Sequence, residues 1–222
     1  TLEFTDHVAD SIRQMKVDIG LGDTSATVDV ELMMALLSMK QFQLLSAYGG
    51  KPAIRQAQQA INRGYKNYTG IIPTDGLYGR EMNKALIQVL QAIEGYTPAE
   101  ATGNFGAGTR SKLRTISSGT NQWVWLATVN LVCNGYSILP TSTWNSGISN
   151  TLWQFQQAHA LPVTGVVDPT TWMSLLTSKG DPNRPCVACD TRFEITDELA
   201  EHLKADGYQI VGRYLNEPNQ SR

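Results

Sequence analysis

The stretch DGLYGREMNKALIQVLQAIE, residues 75–94, decides the fold. Its first five residues read as a turn, because Asp75 can bond its own backbone while Gly76 and Gly79 free the chain to bend. From about Arg80 to Glu94, the residues Ala85, Leu86, Val89, Leu90 and Ile93 recur at spacings of three and four, the stripe of an amphipathic helix. Upstream, Ile54 to Ile61 predicts a first helix that ends at Gly64-Tyr65. Downstream of Gly95, a loop closes on Gly103-Asn104-Phe105-Gly106 and leads to a third short helix carrying Thr109, Lys112 and Leu113. Helices this short persist only by packing on one another, so the stretch implies a three-helix unit.

The pattern recurs on both sides. Near the start, Ile12, Met15, Ile19 and Leu21 precede Val28-Asp29 and then Leu32, Leu36 and Leu37. Later, Leu152, Phe155, His159 and Leu161 precede Val167-Asp168 and then Trp172, Leu175 and Leu176. Asp168 is placed to cap the last of these helices, with Pro169 at its first position, where a missing N–H costs nothing. The later copy opens near Trp123, with Leu126, Leu131 and Cys133 on its first helix and a stop at Asn134-Gly135-Tyr136. In place of the Asp-Gly turn it has Thr143-Trp144-Asn145-Ser146-Gly147. Self-similarity of this kind predicts a mainly α chain of tandem small three-helix repeats. The boundaries that follow are 1–45 for the C-terminal part of a first repeat, 46–118 for a second and 119–178 for a third.

D-G-x-Y-G followed by a helix, with G-x-F-G-x-G-T or G-V-V-D-P-T-T-W behind it, resembles the peptidoglycan-binding domain 1 pattern over roughly residues 1–177, the first copy lacking its opening helix. The resemblance implies a peptidoglycan or related cell-wall glycan as partner. Tyr78 and Phe105 could then stack on the apolar face of a hexosamine ring, with Asp75 beside them. Each has a plainer alternative: Asp75 as a turn former, the two rings as inward packing. Trp144, in the polar loop TSTWNSG, reads as an exposed sugar or peptide contact; Trp172, at helical spacing with Leu175 and Leu176, reads as core.

Residues 179–185, rich in Gly, Pro and Asn, read as a linker to a different piece, 186–222. Cys186 to Asp190 is a short apolar run, Thr196 to Ala205 is helical, and Gln209 to Leu215 is a second strand, giving a parallel β-α-β unit. Such a unit cannot close a sheet alone. ACDT, a helix and then AxGYxIVGRYL resemble the opening of the glycoside-hydrolase-like barrel family known as DUF1906, so the unit is expected to be the truncated start of a TIM-type (β/α) barrel. The resemblance implies that Asp190, Arg213 and Tyr214 lie at strand C-termini, where barrel enzymes gather their active groups. Asp190 would be one of the two carboxyl groups that glycoside hydrolysis needs. No partner carboxylate is identifiable, and the chain by itself is expected to be inactive.

Composition narrows the rest. A net charge of −2 and the absence of a Lys/Arg cluster argue against nucleic acid as a partner. No apolar run reaches membrane-span length, so a soluble chain, read as a monomer, is expected. Three cysteines cannot all pair, and Cys186-x-x-Cys189 reads as strand rather than as a metal site. The histidines His7, His159 and His202 lack ligand spacing, and neither metal nor cofactor is implied. The chain looks cut at both ends, with no visible signal segment, and the resemblance places it outside the cell or on the wall. The leading expectation is thus the wall-binding region of a secreted bacterial or phage cell-wall glycoside hydrolase. The alternative is a non-binding spacer or interaction array of the same repeats.

Overall fold

The computed structural model describes residues 4–178, 180–181, 188–191 and 194–213, with the side chains of 188–191 and 213 left aside. It divides into two compact units, Thr1–Pro182 and Asn183–Arg222, and the regular elements described in the first are all helices, apart from two isolated β-bridges.

In the first unit the helices fall into three groups. Copy one has α1 (Asp6–Ile19) and α2 (Val30–Leu37). Copy two has α3 (Pro52–Thr69), α4 (Arg80–Ile93) and the short α5 (Ala107–Ser111). Copy three has α6 (Gln122–Cys133), α7 (Ser146–Ala158) and α8 (Pro169–Thr177). Local chemistry sets these ends. The Asp29 and Asp168 side chains accept from the backbone N–H of Leu32 and Thr171, and Asn121 and Asn145 do the same for Val124 and Ile148. Each occupies an N-cap, where a side-chain oxygen meets a donor that the helix leaves unpaired. The expected cap at Asp168 with Pro169 behind it is therefore present.

Packing joins what the repeats divide. A single core runs from Ile54 on α3 to Leu176 on α8, with Leu86, Leu90, Leu126, Leu131, Phe155 and Trp172 fully buried. Copies two and three thus share one interior, whereas the three-helix pattern by itself suggests a small core in each. The reason is α6, which is apolar on nearly every side and is buried from Trp123 to Cys133 except for the half-buried Trp125. A helix apolar all round needs neighbours all round. Trp125 stacks on Tyr65 of α3, ring centroids 6.4 Å apart. Ile116 and Val167 exchange two backbone hydrogen bonds of 2.9 Å across the copies.

Copy one has its own smaller core of Ile19, Leu21, Leu32, Ala35 and Phe42. Polar side chains of α3 tie it to copy two. Arg55 Nη2 donates to the Asp18 carboxylate at 2.7 Å and to Phe42 O at 3.0 Å, and Asn62 Nδ2 donates to Ile19 O and Ile72 O.

The second unit has two parallel strands, β1 (Ala188–Thr191) and β2 (Ile210–Arg213), and α9 (Asp197–Ala205) between them in sequence. Thr196 caps α9 by accepting from Leu199 N, and Gly207 follows it in the left-handed region at φ +87°. This is the expected strand-helix-strand unit; no closed barrel is present among the described residues.

Candidate functional site

The three copies coincide in a buried polar clasp. Near the end of each middle helix, one residue accepts at its backbone oxygen from the N–H five positions on: Leu21 to Lys16, Tyr96 to Gln91, Leu161 to Gln156. The side chain of that same residue grips the loop that follows. Gln156 Oε1 accepts from Thr164 N and Gly165 N, both 2.9 Å, while its Nε2 donates to Val166 O and Thr171 Oγ1. Gln91 Oε1 accepts from Gly103 N at 2.9 Å, and Nε2 donates to Asn104 O and Thr109 Oγ1. Gly103 and Gly165 have φ of +75° and +70°, which explains the glycine at the same point of each loop. In copy one the position is Lys16, fully buried, its ammonium donating to the Asp23 and Asp29 carboxylates and to Ser25 Oγ. The Lys16 ammonium, with the Ser25 N–H, holds the Asp23 carboxyl below the usual carboxylate range, and the Leu32 N–H, with Lys16, does so for Asp29.

A second clasp fixes the turn from which the sequence was read. Gln58 on α3 accepts from Gly76 N at 2.7 Å and donates to Asp75 Oδ1 and Leu77 O. Asp75 Oδ1 also accepts from Leu77 N at 2.9 Å. Asp75 is therefore a turn former. In copy three the corresponding pair is Thr128 and Thr141, which exchange hydrogen bonds of 3.1 Å. The turn whose motif had lost its Asp-Gly thus keeps its anchor.

Of the predicted aromatics, Tyr78 lies inward. Tyr78 is 7% exposed, its hydroxyl accepts from Asn83 Nδ2 at 2.7 Å, burial pushes its phenol above the ordinary range, and its ring lies against Gly180. The expected sugar-stacking face of Tyr78 is occupied by protein, because the turn clasped by Gln58 directs the ring into the core. Phe105 and Trp144 are half-buried and pack against the same core, so each keeps part of its ring at the surface. Trp172 is fully buried, as its spacing implies, with its indole N–H donating to Arg114 O.

In the second unit, Asp190 lies opposite Gly212 and Thr191 opposite Arg213 in parallel register. The backbone thus places Asp190 and Arg213 near the C-terminal ends of adjacent strands. Tyr214 and Cys186 lie outside the described residues.

Sequence reasoning missed the charged grooves on the open surface of copies one and two. One, of about 390 Å³, is lined by Glu31, Met34, Ala35, Lys40, Lys66 and Ile71. Lys66 pairs with Glu31 at 2.6 Å, and Lys40 pairs with Glu81 and donates to Ile71 O. The second, of about 370 Å³, includes Glu81, Arg80, Lys84 and Gln88. Alternating charges beside an apolar wall can meet a ligand that carries both carboxylate and amine or amide groups. These positions come from different helices, so no linear motif announces them. Trp153 was missed too: it is 47% exposed and lies over Gly165, where an added Cβ would stand 2.2 Å from the indole nitrogen. Among the described residues, no group of three His, Cys, Asp or Glu side chains is arranged to hold a metal. No described helix is long and apolar enough to cross a membrane.

The family model described as FadG/YbfG, PGDB-like domain matches residues 47–176. The chain belongs to this family. The matched span contains the whole of the larger core, so the FadG/YbfG PGDB-like domain corresponds to copies two and three together, and α1 and α2 lie ahead of it. Two relatives from Bacillus subtilis (strain 168) extend the likeness to copy one. "Uncharacterized protein YbfG" is 40% identical over 217 residues, covering 96% of this chain and 29% of its own length. "Uncharacterized protein FadG" is 36% identical over 212 residues, covering 93% of this chain and 36% of its own length. The chain thus spans about a third of the curated relatives it matches. No solved structure matches it. As a PGDB-like domain, the helical unit has a peptidoglycan-binding-like fold.

Proposed function

We propose that this chain holds a longer protein on the bacterial cell wall by binding peptidoglycan, and that the longer protein is a secreted wall hydrolase of bacterial or phage origin. The observation that carries the reading is the PGDB-like domain over residues 47–176. The two mixed-charge grooves on the open side of α2, α3 and α4 offer the ligand contacts that the buried Tyr78 does not. Stem peptides carry both amine and carboxylate groups, which suits the paired Lys66–Glu31 and Lys40–Glu81 edges. The second unit, by its parallel β-α-β order and by the resemblance to the DUF1906 barrel, is proposed as the opening of a glycan-cleaving domain, with Asp190 as one of its carboxylates. A spacer array remains the second reading, and it draws on the burial of Tyr78 and the half-burial of Phe105 and Trp144.

Sedimentation of the chain with purified, protein-free sacculi tests this. The chain is expected to pellet with the wall, and Lys66→Ala with Met34→Ala, both at a groove surface, is expected to lower the bound fraction severalfold with an unchanged circular dichroism spectrum. A folded parent chain that stays in the supernatant would overturn wall binding in favour of the spacer.

A further inference from the structure

Positions that copy three buries fully are half-buried (Ile12, Met15) or exposed in copy one. Aligning the clasp residues Lys16 and Gln156 sets Val8, Ile12 and Met15 against Ile148, Leu152 and Phe155, all three of which are fully buried. Aligning the caps Asp29 and Asp168 sets Met33, Leu36 and Leu37 against Trp172, Leu175 and Leu176. The latter three are at most 1% exposed, whereas Met33, Leu36 and Leu37 are 46%, 46% and 75% exposed. What covers the set in copy three is chiefly α6 with Tyr136, three residues past its end, and α4 of copy two adds to the cover over α8, where Asn83 Nδ2 donates to Leu176 O. Trp123 meets Trp172 edge-on at 5.8 Å, and Tyr136 meets Phe155 edge-on at 5.9 Å. In copy one the corresponding surface is a groove of about 380 Å³ between α1 and α2, lined by Val8, Ile12, Met15, Leu32 and Leu36.

From this we infer that the outer face of α1 and α2 is the seat of one further α-helix, about a dozen residues long, apolar-sided like α6 and drawn from polypeptide outside these 222 residues. Exposed apolar patches of this kind mark contact surfaces, and the chain itself displays the fitting occupant two copies later. A helix is favoured over a second copy of the chain because the equivalent face in copy three is closed chiefly by α6, a helix of its own copy that packs on both α7 and α8. The relatives supply room for it, since this chain spans 29% and 36% of their lengths. The inference does not depend on wall binding.

Methionine methyl groups read the face directly. Met15 and Met33 lie on it, while Met34 corresponds to Met173, which is 39% exposed in copy three, and should stay outside. The experiment repeats residues 119–140 ahead of Thr1 in the full chain, so that the connection to α1 matches the length of that between α6 and α7. Solvent accessibility of the ¹³C-labelled methionine methyls to a soluble paramagnetic chelate is then compared with that of the chain without the addition. The expected result is several-fold protection of Met15 and Met33, with Met34 still accessible, and loss of that protection at both methyls in the Val8→Asp, Leu36→Asp variant. Methyls of Met15 and Met33 that stay as accessible as before would overturn the inference. So would protection already present without the added helix and growing with protein concentration, which would assign the face to a second copy.

Discussion

Copies one and three perform the same closure with different chemistry. Gln156 carries a donor and an acceptor on one rigid amide, so it satisfies loop N–H and C=O groups together and needs no further partner. Lys16 has donors only. In its place at the end of α1, the loop must bring acceptors, and it brings Asp23 and Asp29. The neutral clasp is insensitive to pH and salt; the charged one is bound to both. The difference teaches that a repeat conserves the geometry of an interaction rather than its residue type, and that its response to conditions follows the residue type.

Removing the neutral clasp should cost most. Gln156→Leu strips partners from Thr164 N, Gly165 N and Val166 O inside the shared core, and should lower the stability of the first unit by about 3 kcal/mol in urea unfolding. Lys16→Met should act locally: hydrogen exchange in α1 and α2 speeds up while α6 to α8 keep their protection. A global loss equal to that of Gln156→Leu would break the distinction between the copies.

Acid should separate the copies without mutation. The folded Asp23 and Asp29 carboxyls titrate below their ordinary value of 3.8, so their contribution is present above that value and is lost as pH falls through the folded ones. The Met15 and Met33 methyl signals should therefore report opening in acid before those of Met82 and Met173, and Lys16→Gln should narrow the gap.

The smallest effect is expected three residues past the clasp of copy two. Both oxygens of the Glu94 carboxyl are buried without a hydrogen-bond partner, and this desolvation pushes it from 4.5 up to about 7, with Lys112 opposing. Between those values the folded state holds a proton that the unfolded state releases, so stability falls as pH rises from 4.5 to 7 and is level above that. Glu94→Gln should remove this slope and gain about 1 kcal/mol at pH 8, after solvent screening, with no gain at pH 4.

Much of this architecture was legible because helices announce themselves by period and cap. Ile12 to Leu37 and Leu152 to Leu176 gave the paired helices, and Asp168-Pro169 gave a correct start. The shared interior was harder to see. Tyr65 and Trp125 are distant in sequence and meet only once α3 and α6 are packed. The clasps were not seen because a Gln or Lys on a helix ordinarily reads as a solvated position, and only the loop folding back buries it. For the same reason Tyr78 looked like a ligand platform: its motif shows a turn, but not that Gln58 steers the turn inward. The grooves join side chains from different helices and leave no local trace.

One ion pair spans nearly the whole helical unit. Lys51, at the start of α3, holds the Asp181 carboxylate at 2.6 Å, while Tyr78 lies on Gly180. The chain leaves the helical unit directly after this point. The departing chain is therefore held at two points of the unit, the end of α8 and the start of α3, before it leaves. Fraying of the last turn of α8 thus need not free the exit of the unit, because the Lys51 tie lies on a different helix.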